Sequence, residues 1–483
     1  MNILAALDHP ALFAPFFRGN TWGPWRVFLA ALFGLPMTEA QRAIYHAHTG
    51  RTELPTAPFK EAALVVGRRG GKSRILALVA TYLACFNDYT PYLAPGEIAT
   101  VAVIAADRRQ ARTIFRFILG LLREVRPLAD MIEDGTAETI TLKNRVTIEI
   151  HTASFRVTRG YTFAAVLADE TAFWRDENSL NPDVEIFRAL RPGLSSIPTA
   201  MLLNASSPYR RAGALYSTFS RHYGKDNARV LVWRGTTAEM NPSLDQAVIA
   251  EAYEDDPAAA AAEYGAEFRD DIQDFVTREV IDACTVRGRV ELLPAQNAWY
   301  VGFVDPSGGT SDSMTLAIAH KESDLCVLDA VRELRSPFSP EDAVLEFSAL
   351  LKAYRINRVV GDHYAGEWPK ERFRFAGIQY DRSDRPKGEI YRDCLPLLNS
   401  GKVELLDVPR IASQFCSLER RTARGGRDSI DHPQIPGVHD DLANAVAGAL
   451  LLLLQRQPIR MTHEGAARLG GRLPRSWPSR RYG

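Results

Sequence analysis

A chain of 483 residues with 46% apolar content has room for two or three domains with sizeable cores. Its 58 Lys and Arg balance 58 Asp and Glu, which excludes a general electrostatic pull toward nucleic acid, so any DNA contact must come from local Arg clusters. The five cysteines (Cys85, Cys284, Cys326, Cys394, Cys416) lie far apart with no Cys-x-x-Cys, which excludes a zinc or disulfide framework and reads as buried thiols of a reducing compartment.

Asp8, Pro10 and Arg18 interrupt the apolar N-terminus and make it a poor signal peptide. The longest uninterrupted apolar run, Ala445 to Leu454, is too short to cross a bilayer, so a soluble intracellular protein is expected. Upstream of the first strand, Met37-Thr38-Glu39-Ala40-Gln41 offers Gln41 as a reader of adenine through its side-chain amide.

Ala62 to Val66 reads as a strand and Ser73 to Phe86 as a helix, joined by Val66-Gly67-Arg68-Arg69-Gly70-Gly71-Lys72-Ser73. Strand, Gly-rich turn ending in Lys-Ser, and helix together form a phosphate cradle, because N–H groups of the turn and the helix N-terminus point at the anion. Lys72 would reach the β/γ-phosphates and Ser73 would ligate Mg²⁺. The usual loop opens on Gly six positions before the Lys, where this chain has Val66. The plain alternative is a Gly-rich turn with a solvated lysine. Arg68 and Arg69 are candidates for stabilising transferring charge in cis, or one of them is a solvated loop charge.

Further strands are expected at Ile98–Ala105, Ala164–Ala168, Ala200–Leu203 and Val230–Trp233. A hairpin is expected over Ile140–Ile150 around Lys143-Asn144-Arg145. Gln110 to Val125 reads as a helix with Ile114, Phe117, Ile118 and Leu121 on one face. Strands alternating with helices predict a mostly parallel α/β sheet covered on both faces. Val166-Leu167-Ala168 leads into Asp169-Glu170, where Asp169 would hold Mg²⁺ and Glu170 would polarise the attacking water. The 97 positions from Lys72 to Asp169 leave room for an extra strand between the two motif strands. Asn204-Ala205-Ser206-Ser207-Pro208 ends another strand, and its hydroxyls, Ser206 and Ser207, are candidates to sense γ-phosphate and pass the signal on; an ordinary Ser-Pro turn is the alternative. Ala258–Ala262 reads as a helix turn rather than a linker.

Residues 1–270 are expected to form a P-loop ATPase domain, 271–297 a linker, 298–456 a second α/β domain and 457–483 a flexible basic tail. In the second domain Trp299–Val304, Thr315–Ala319, Leu325–Val331 and Ile356–Gly361 are strands. Helices run from Ser339-Pro340 to Tyr354, within Gly388–Leu398 and within Pro436–Leu454. Asp305 and Asp362 end two of these strands, and Asp440-Asp441 opens the last helix. Three acids at element ends suit a two-metal phosphodiesterase, since Mg²⁺ prefers hard oxygen ligands and two ions stabilise attacking and leaving oxygens. Singly they read as a turn, a strand end and a helix cap. Asp312 and His439 are lesser candidates. Arg420, Arg421, Arg424 and Arg427 either hold DNA phosphates or form a solvated face. The last 28 residues carry seven Arg and one acid, Glu464, which suits a disordered end or a DNA- or partner-binding tail.

Phosphate loop, Asp-Glu strand, Ser-Ser-Pro and three separated Asp sites, in this order over about residues 41–454, resemble the large terminase subunit of tailed bacteriophages. That family's loop often lacks the first Gly and carries Arg four residues before the Lys, here Arg68. Gly425-Gly426-Arg427-Asp428-Ser429-Ile430-Asp431-His432 and His439-Asp440-Asp441-Leu442-Ala443-Asn444-Ala445 also look like the family's C-terminal signature. The resemblance implies an N-terminal ATPase that moves double-stranded DNA into a procapsid, with ATP and Mg²⁺ as its cofactors. It implies a C-terminal ribonuclease H-like nuclease that cuts concatemeric DNA with two Mg²⁺ or Mn²⁺. Asp305, Asp362 and Asp440 would be the metal ligands, with Asp441 adjacent and the choice between the last two open. A small terminase subunit, the portal protein, a homo-oligomeric ring and a host-cytoplasmic location, transiently at the portal, follow from the same resemblance. A helicase–nuclease of repair or defence would carry further helicase motifs and a second motor domain, and neither is found. A nucleotide-switched DNA-binding protein with an inactive nuclease domain is opposed by the intact Lys72, Asp169, Glu170 and three Asp sites.

Overall fold

A computed structural model describes residues 1–153, 160–174, 182–309, 312–362, 367–422, 428–433 and 438–454. The expected basic tail, Arg424 and Arg427 lie outside the described residues. The chain divides into two compact units, residues 1–275 with 413–439, and residues 276–412 with 440–483.

The first unit is built on an eight-stranded sheet. Its strands are β1 (Glu61–Val66), β2 (Ala99–Ala105), β3 (Ile132–Gly135), β4 (Thr139–Leu142), β5 (Val146–Thr152), β6 (Thr162–Asp169), β7 (Met201–Ser206) and β8 (Val230–Gly235). Their order is β3-β4-β5-β2-β6-β7-β1-β8. All pairs from β5 to β8 are parallel, and β3, β4 and β5 add an antiparallel edge that includes the expected hairpin. Parallel strands buried on both faces read as continuous apolar runs, which is why β1, β2 and β6 stood out in the sequence. Alternation sorts their side chains between two cores. Ala62, Leu64, Val66, Val101 and Val103 join the core under helices 72–86 and 108–124. Ala63 and Val65 face Leu215 on the opposite side, and Ala102 and Ile104 pack near Ile186 and Leu190.

Helix Arg108–Glu124 is capped by Asp107, whose Oδ1 accepts Gln110 N at 2.8 Å. Its buried stripe is Ala111, Ile114, Phe115, Ile118, Leu121 and Leu122, and Phe117 is 40% exposed. The expectation for Phe117 is therefore corrected. At helical spacing it falls in line with Thr113, Gly120 and Glu124, while Phe115 lines up with Ala111, Ile118 and Leu122. The Ala258–Ala262 run lies inside helix Pro257–Glu263, capped by Asp256. A short strand, β9 (Ile272–Asp274), follows.

The second unit carries β10 (Thr285–Val286), β11 (Tyr300–Asp305), β12 (Met314–Glu322), β13 (Leu325–Leu334), β14 (Arg358–Gly361), β15 (Gln379–Arg382) and β16 (Val403–Leu406). Their order is β10-β16-β13-β12-β11-β14-β15. β11, β12 and β13 form an antiparallel meander, and β14 and β15 continue parallel to β11. A meander of three followed by two parallel strands on the first strand's free side is the ribonuclease H-like arrangement that the resemblance implied. Helix Pro340–Ala353 opens on the Ser339 cap and packs on Val304, Leu316 and Ile318. Helix Asp441–Leu452 covers the opposite face, so close that a Cβ on Gly448 would meet the Phe303 ring at 2.4 Å. This helix was expected from within 436–454; it starts at Asp441, with Asp440 as its N-cap residue.

Residues 413–439 return to the first unit and supply β17 (Glu419–Thr422) and β18 (Asp428–Asp431), an antiparallel sheet with β9. Among the described residues the cysteines form no disulfide; four are buried and Cys85 is half-buried. Among the described residues no helix is long and apolar enough to cross a membrane.

Candidate functional site

The parallel register brings the first unit's motif residues to one edge of its sheet. β7 is the strand interposed between the two motif strands: Val65 of β1 pairs with Ser206, and Asp169 of β6 pairs with Ala205. The loop 67–71 then turns into helix Lys72–Phe86 through Arg69 at φ +64° and Gly71 at φ +97°. The glycines fit tight walls. A Cβ on Gly67 would lie 2.3 Å from Thr237 Oγ1, and one on Gly71 would lie 3.0 Å from Trp25 Nε1 in the left-handed region.

Lys72 is buried, and its ammonium donates to Val66 O (2.9 Å), Gly67 O (3.3 Å) and Ser207 Oγ (3.0 Å). Its Nζ also lies 3.4 Å from Glu170 Oε1. Glu170 sits at φ +49°, a backbone setting that costs a non-glycine residue about 1–3 kcal/mol and clusters at functional sites. Ser206 Oγ and Ser207 N hold its Oε2 at 3.0 and 3.1 Å. The sequence candidates Lys72, Glu170, Ser206 and Ser207 thus form one hydrogen-bonded cluster.

Asp169 is 3% exposed, and its Oδ1 has no partner among the described residues. Burial first, and the neighbouring Glu170 charge second, push its carboxyl up to about 7 against the pull of Lys72. An orphaned, buried carboxylate oxygen beside a phosphate loop fits a divalent cation, with Ser73 on the loop helix as the second candidate ligand. Arg68 forms a 3.0 Å ion pair with Glu263 on the protein's outer face. Gln41 accepts from Thr38 N at 2.8 Å, closing a capping box at the start of helix Glu39–Thr49.

Four neighbours of the loop were missed by sequence reasoning: Trp25, Thr237, Asn241 and Glu263. Only Thr237 had a readable signal, since Thr236-Thr237-Ala238-Glu239 is a capping-box pattern and the box forms.

In the second unit, Asp305 ends β11 and Asp362 follows β14, two strands that pair in parallel. Asn444, fully buried on helix Asp441–Leu452, joins them: its Nδ2 donates to Asp305 Oδ2 at 2.8 Å and to Asp362 Oδ2 at 2.9 Å. Its Oδ1 is buried without a partner among the described residues. Burial, then Asp362, raise the Asp305 carboxyl well above the usual range; Asn444 opposes this, and Asp441 adds more than Asp440. Asp440 accepts from Tyr391 Oη (2.8 Å) and lies 3.1 Å from Lys387 Nζ. Asp441 accepts from Ser313 N at 3.0 Å. Clustered carboxylates with an orphaned amide oxygen are a hard-oxygen donor set of the kind Mg²⁺ or Mn²⁺ prefers. Asn444 was quoted in the sequence but given no role; a polar residue inside a long apolar helix was its signal.

Of the basic cluster, Arg420 pairs with Asp428 across the β17–β18 ladder, and Arg421 lies 3.2 Å from Glu419. Asp312 accepts from Ser307 Oγ through its backbone carbonyl.

No protein-family model matches the chain, and no curated protein sequence matches it. Solved structures similar to it include the large terminase of bacteriophage HK97, at 13% identity and TM-score 0.41, over 93% of this chain and 98% of that one. The ATPase domain of the large terminase from Thermus phage P74-26 matches 50% of this chain and 98% of its own, at 17% identity and TM-score 0.36. The large terminase nuclease from thermophilic phage G20c matches 37% of this chain and 97% of its own, at 19% identity and TM-score 0.31. At these identities and TM-scores the likeness decides nothing about activity, which must be argued from this chain's own residues.

Proposed function

We propose that the chain is a DNA-packaging motor subunit of the large-terminase type, an ATPase and a metal-dependent endodeoxyribonuclease in two units. The observation that carries the ATPase half is the Glu170 carboxylate, twisted into the left-handed region and held between Lys72 and the Ser206-Ser207 pair. A carboxylate so placed is a general base for water beside a phosphate cradle. Lys72 would exchange its loop carbonyls for β/γ-phosphate oxygens, and Arg68, from the same loop, would leave Glu263 to meet developing charge. Ser73 and Asp169 would hold Mg²⁺, which neutralises phosphate charge when bound. Gln41 remains the proposed adenine reader. Ser206 and Ser207 bond to both the base and the lysine, so a change at either is felt on β7; this is the proposed route from hydrolysis to movement of double-stranded DNA.

In the second unit, Asp305, Asp362 and one of Asp440 and Asp441 would hold two Mg²⁺ or Mn²⁺, which activate and stabilise the oxygens of phosphodiester cleavage. Asn444 supports this reading because one amide orders two acids that would otherwise repel. A small terminase subunit, the portal of a procapsid and a homo-oligomeric ring are the proposed partners.

Plasmid cleavage in Mg²⁺ or Mn²⁺ tests the proposal with wild type, Asp305→Ala and Glu170→Gln side by side, with ATP turnover read in parallel. Cleavage lost only in Asp305→Ala, with turnover lost only in Glu170→Gln, is the expected pattern. ATP turnover without cutting by wild type would refute the nuclease half and leave a translocase whose second unit only binds DNA.

A further inference from the structure

Three successive carbonyls of the phosphate loop are each held by a side-chain donor from elsewhere in the first unit. Thr237 Oγ1 donates to Arg68 O at 2.7 Å, Asn241 Nδ2 to Arg69 O at 2.9 Å, and Trp25 Nε1 to Gly70 O at 2.9 Å. The donors come from two distant stretches of chain: Trp25 from helix Gly23–Leu32, and Thr237 and Asn241 from the short helix after β8 and its end. Trp25 and Thr237 are buried, so neither bond is a casual surface contact.

A trans peptide is planar, so the C=O of one residue and the N–H of the next point in opposite directions. Holding the carbonyls of Arg68, Arg69 and Gly70 toward the protein turns the N–H groups of Arg69, Gly70 and Gly71 the other way. Of these, Gly70 N donates back to Gly67 O at 3.1 Å and braces the loop from within. The N–H groups of Lys72 and Ser73 follow at the start of the helix, where no carbonyl four residues back serves them. Backbone N–H groups presented together form an anion nest, and its affinity depends on their orientation being fixed before the anion arrives.

We propose that Trp25, Thr237 and Asn241 are positioning residues for nucleotide binding, which hold the phosphate loop open by fixing three consecutive carbonyls toward the protein and away from the anion. The inference rests on the nucleotide-binding reading of this loop. It makes the N-terminal helices part of the ATP site, since Trp25 belongs to them. A second contact ties the chain just before that N-terminal helix to the loop helix: Arg74, on the loop helix, lies over the Phe17 and Trp22 rings and donates to Phe16 O at 2.8 Å.

The test uses the full chain with Trp25→Phe, Thr237→Val and Asn241→Leu, each of which removes one donor, and Thr237→Ser, which keeps it. Kd for Mg-ATP is read by displacement of a fluorescent ATP analogue, with steady-state KM and kcat and the thermal midpoint alongside. Each donor-less variant is expected to raise Kd and KM roughly five- to tenfold, as one lost hydrogen bond does, with kcat within about twofold. Thr237→Ser is expected to stay within about twofold of wild type. Wild-type Kd and KM in the three donor-less variants would overturn the proposal. So would Thr237→Ser as impaired as Thr237→Val, or a lowered midpoint or kcat with KM unmoved. Absence of nucleotide binding by the wild type would instead refute the nucleotide reading itself.

Discussion

Asn444→Leu removes a single amide of similar volume and leaves the half-buried Asp305 and the buried Asp362 to face each other. Asn444 Nδ2 serves Asp305 and Asp362 at 2.8 and 2.9 Å, and its side chain is fully buried. A hydrogen bond to a charged group contributes about 1.5–3 kcal/mol and a neutral one about 1 kcal/mol. Asp305 takes up a proton well above the usual carboxylate range, so with one acid neutral only one of the bonds is charge-assisted. The loss then comes to about 3 kcal/mol in the metal-free protein. For a domain of this size that lowers the thermal midpoint by about 6–12 °C. Scanning calorimetry in EDTA from pH 5 to 8 reads it. The deficit should grow with pH, because the acids repel most when both are ionised. Asn444→Asp separates packing from charge: it should fall below Asn444→Leu at pH 8 in EDTA and recover further than wild type when Mn²⁺ is added. A midpoint for Asn444→Leu within about 1 °C of wild type at every pH would refute the bridging role. Identical behaviour of the Asp and Leu variants with Mn²⁺ would refute the carboxylate cluster as a metal site.

Glu170→Gln should keep Mg-ATP binding and lower turnover by roughly 10²–10⁴-fold, the usual loss when a general base is removed; turnover near wild type would end its assignment. The Asp169 carboxyl is raised to about 7, so the folded metal-free chain holds a proton that the unfolded chain releases near pH 4. Stability from this group is fully present only below about pH 4 and is lost as pH rises through about 7, so in EDTA Asp169→Asn should melt above wild type by a wider margin at pH 8 than at pH 5. Equal midpoints at both pH values would contradict that sign. Removing residues after Arg456 should weaken DNA binding and flatten its salt dependence, measured by filter binding across salt concentrations; an unchanged slope would rule out an electrostatic role for the tail.

The first unit was legible wherever local chemistry repeats the global pattern. β1, β2, β6 and β7 are apolar runs because both faces of their sheet are covered, and β6 and β7 end in polar residues of the site, Asp169 and Ser206. The sequence order of those strands was readable, but their spatial order was not, and the placement of β7 between β1 and β6 is what brings Ser207 to Lys72. Trp25 and Asn241 gave no signal, because a donor that reaches a backbone carbonyl leaves no mark at its own position. Phe117 was misplaced for a related reason: a stripe built on Ile114 and Ile118 admits either Phe117 or Phe115 within one helical step, and the sheet beneath decides for Phe115.

In the second unit the acids were legible and their arrangement was not. Asp305, Asp362 and the Asp440-Asp441 pair stand at element ends, where a charge can sit without breaking a core. Asn444 breaks that rule: it lies one helical turn past Asp440 in an otherwise apolar helix, fully buried, at the place where a leucine would pack and the two acids would go unserved. A buried amide is retained in such a place only if its hydrogen bonds offset its desolvation, and here they go to both carboxylates at once. The same helix approaches β11 closely enough that Gly448 has no room for a side chain over Phe303. Gly448 sets the distance, and Asn444, four residues earlier on the same face, uses that distance to reach the acids. A Gly448→Ala change should therefore be felt at Asp305 and Asp362 through Asn444, as a lower metal affinity by calorimetric titration with Mn²⁺, and metal binding equal to wild type in a folded Gly448→Ala protein would show that the close packing and the acid cluster are independent.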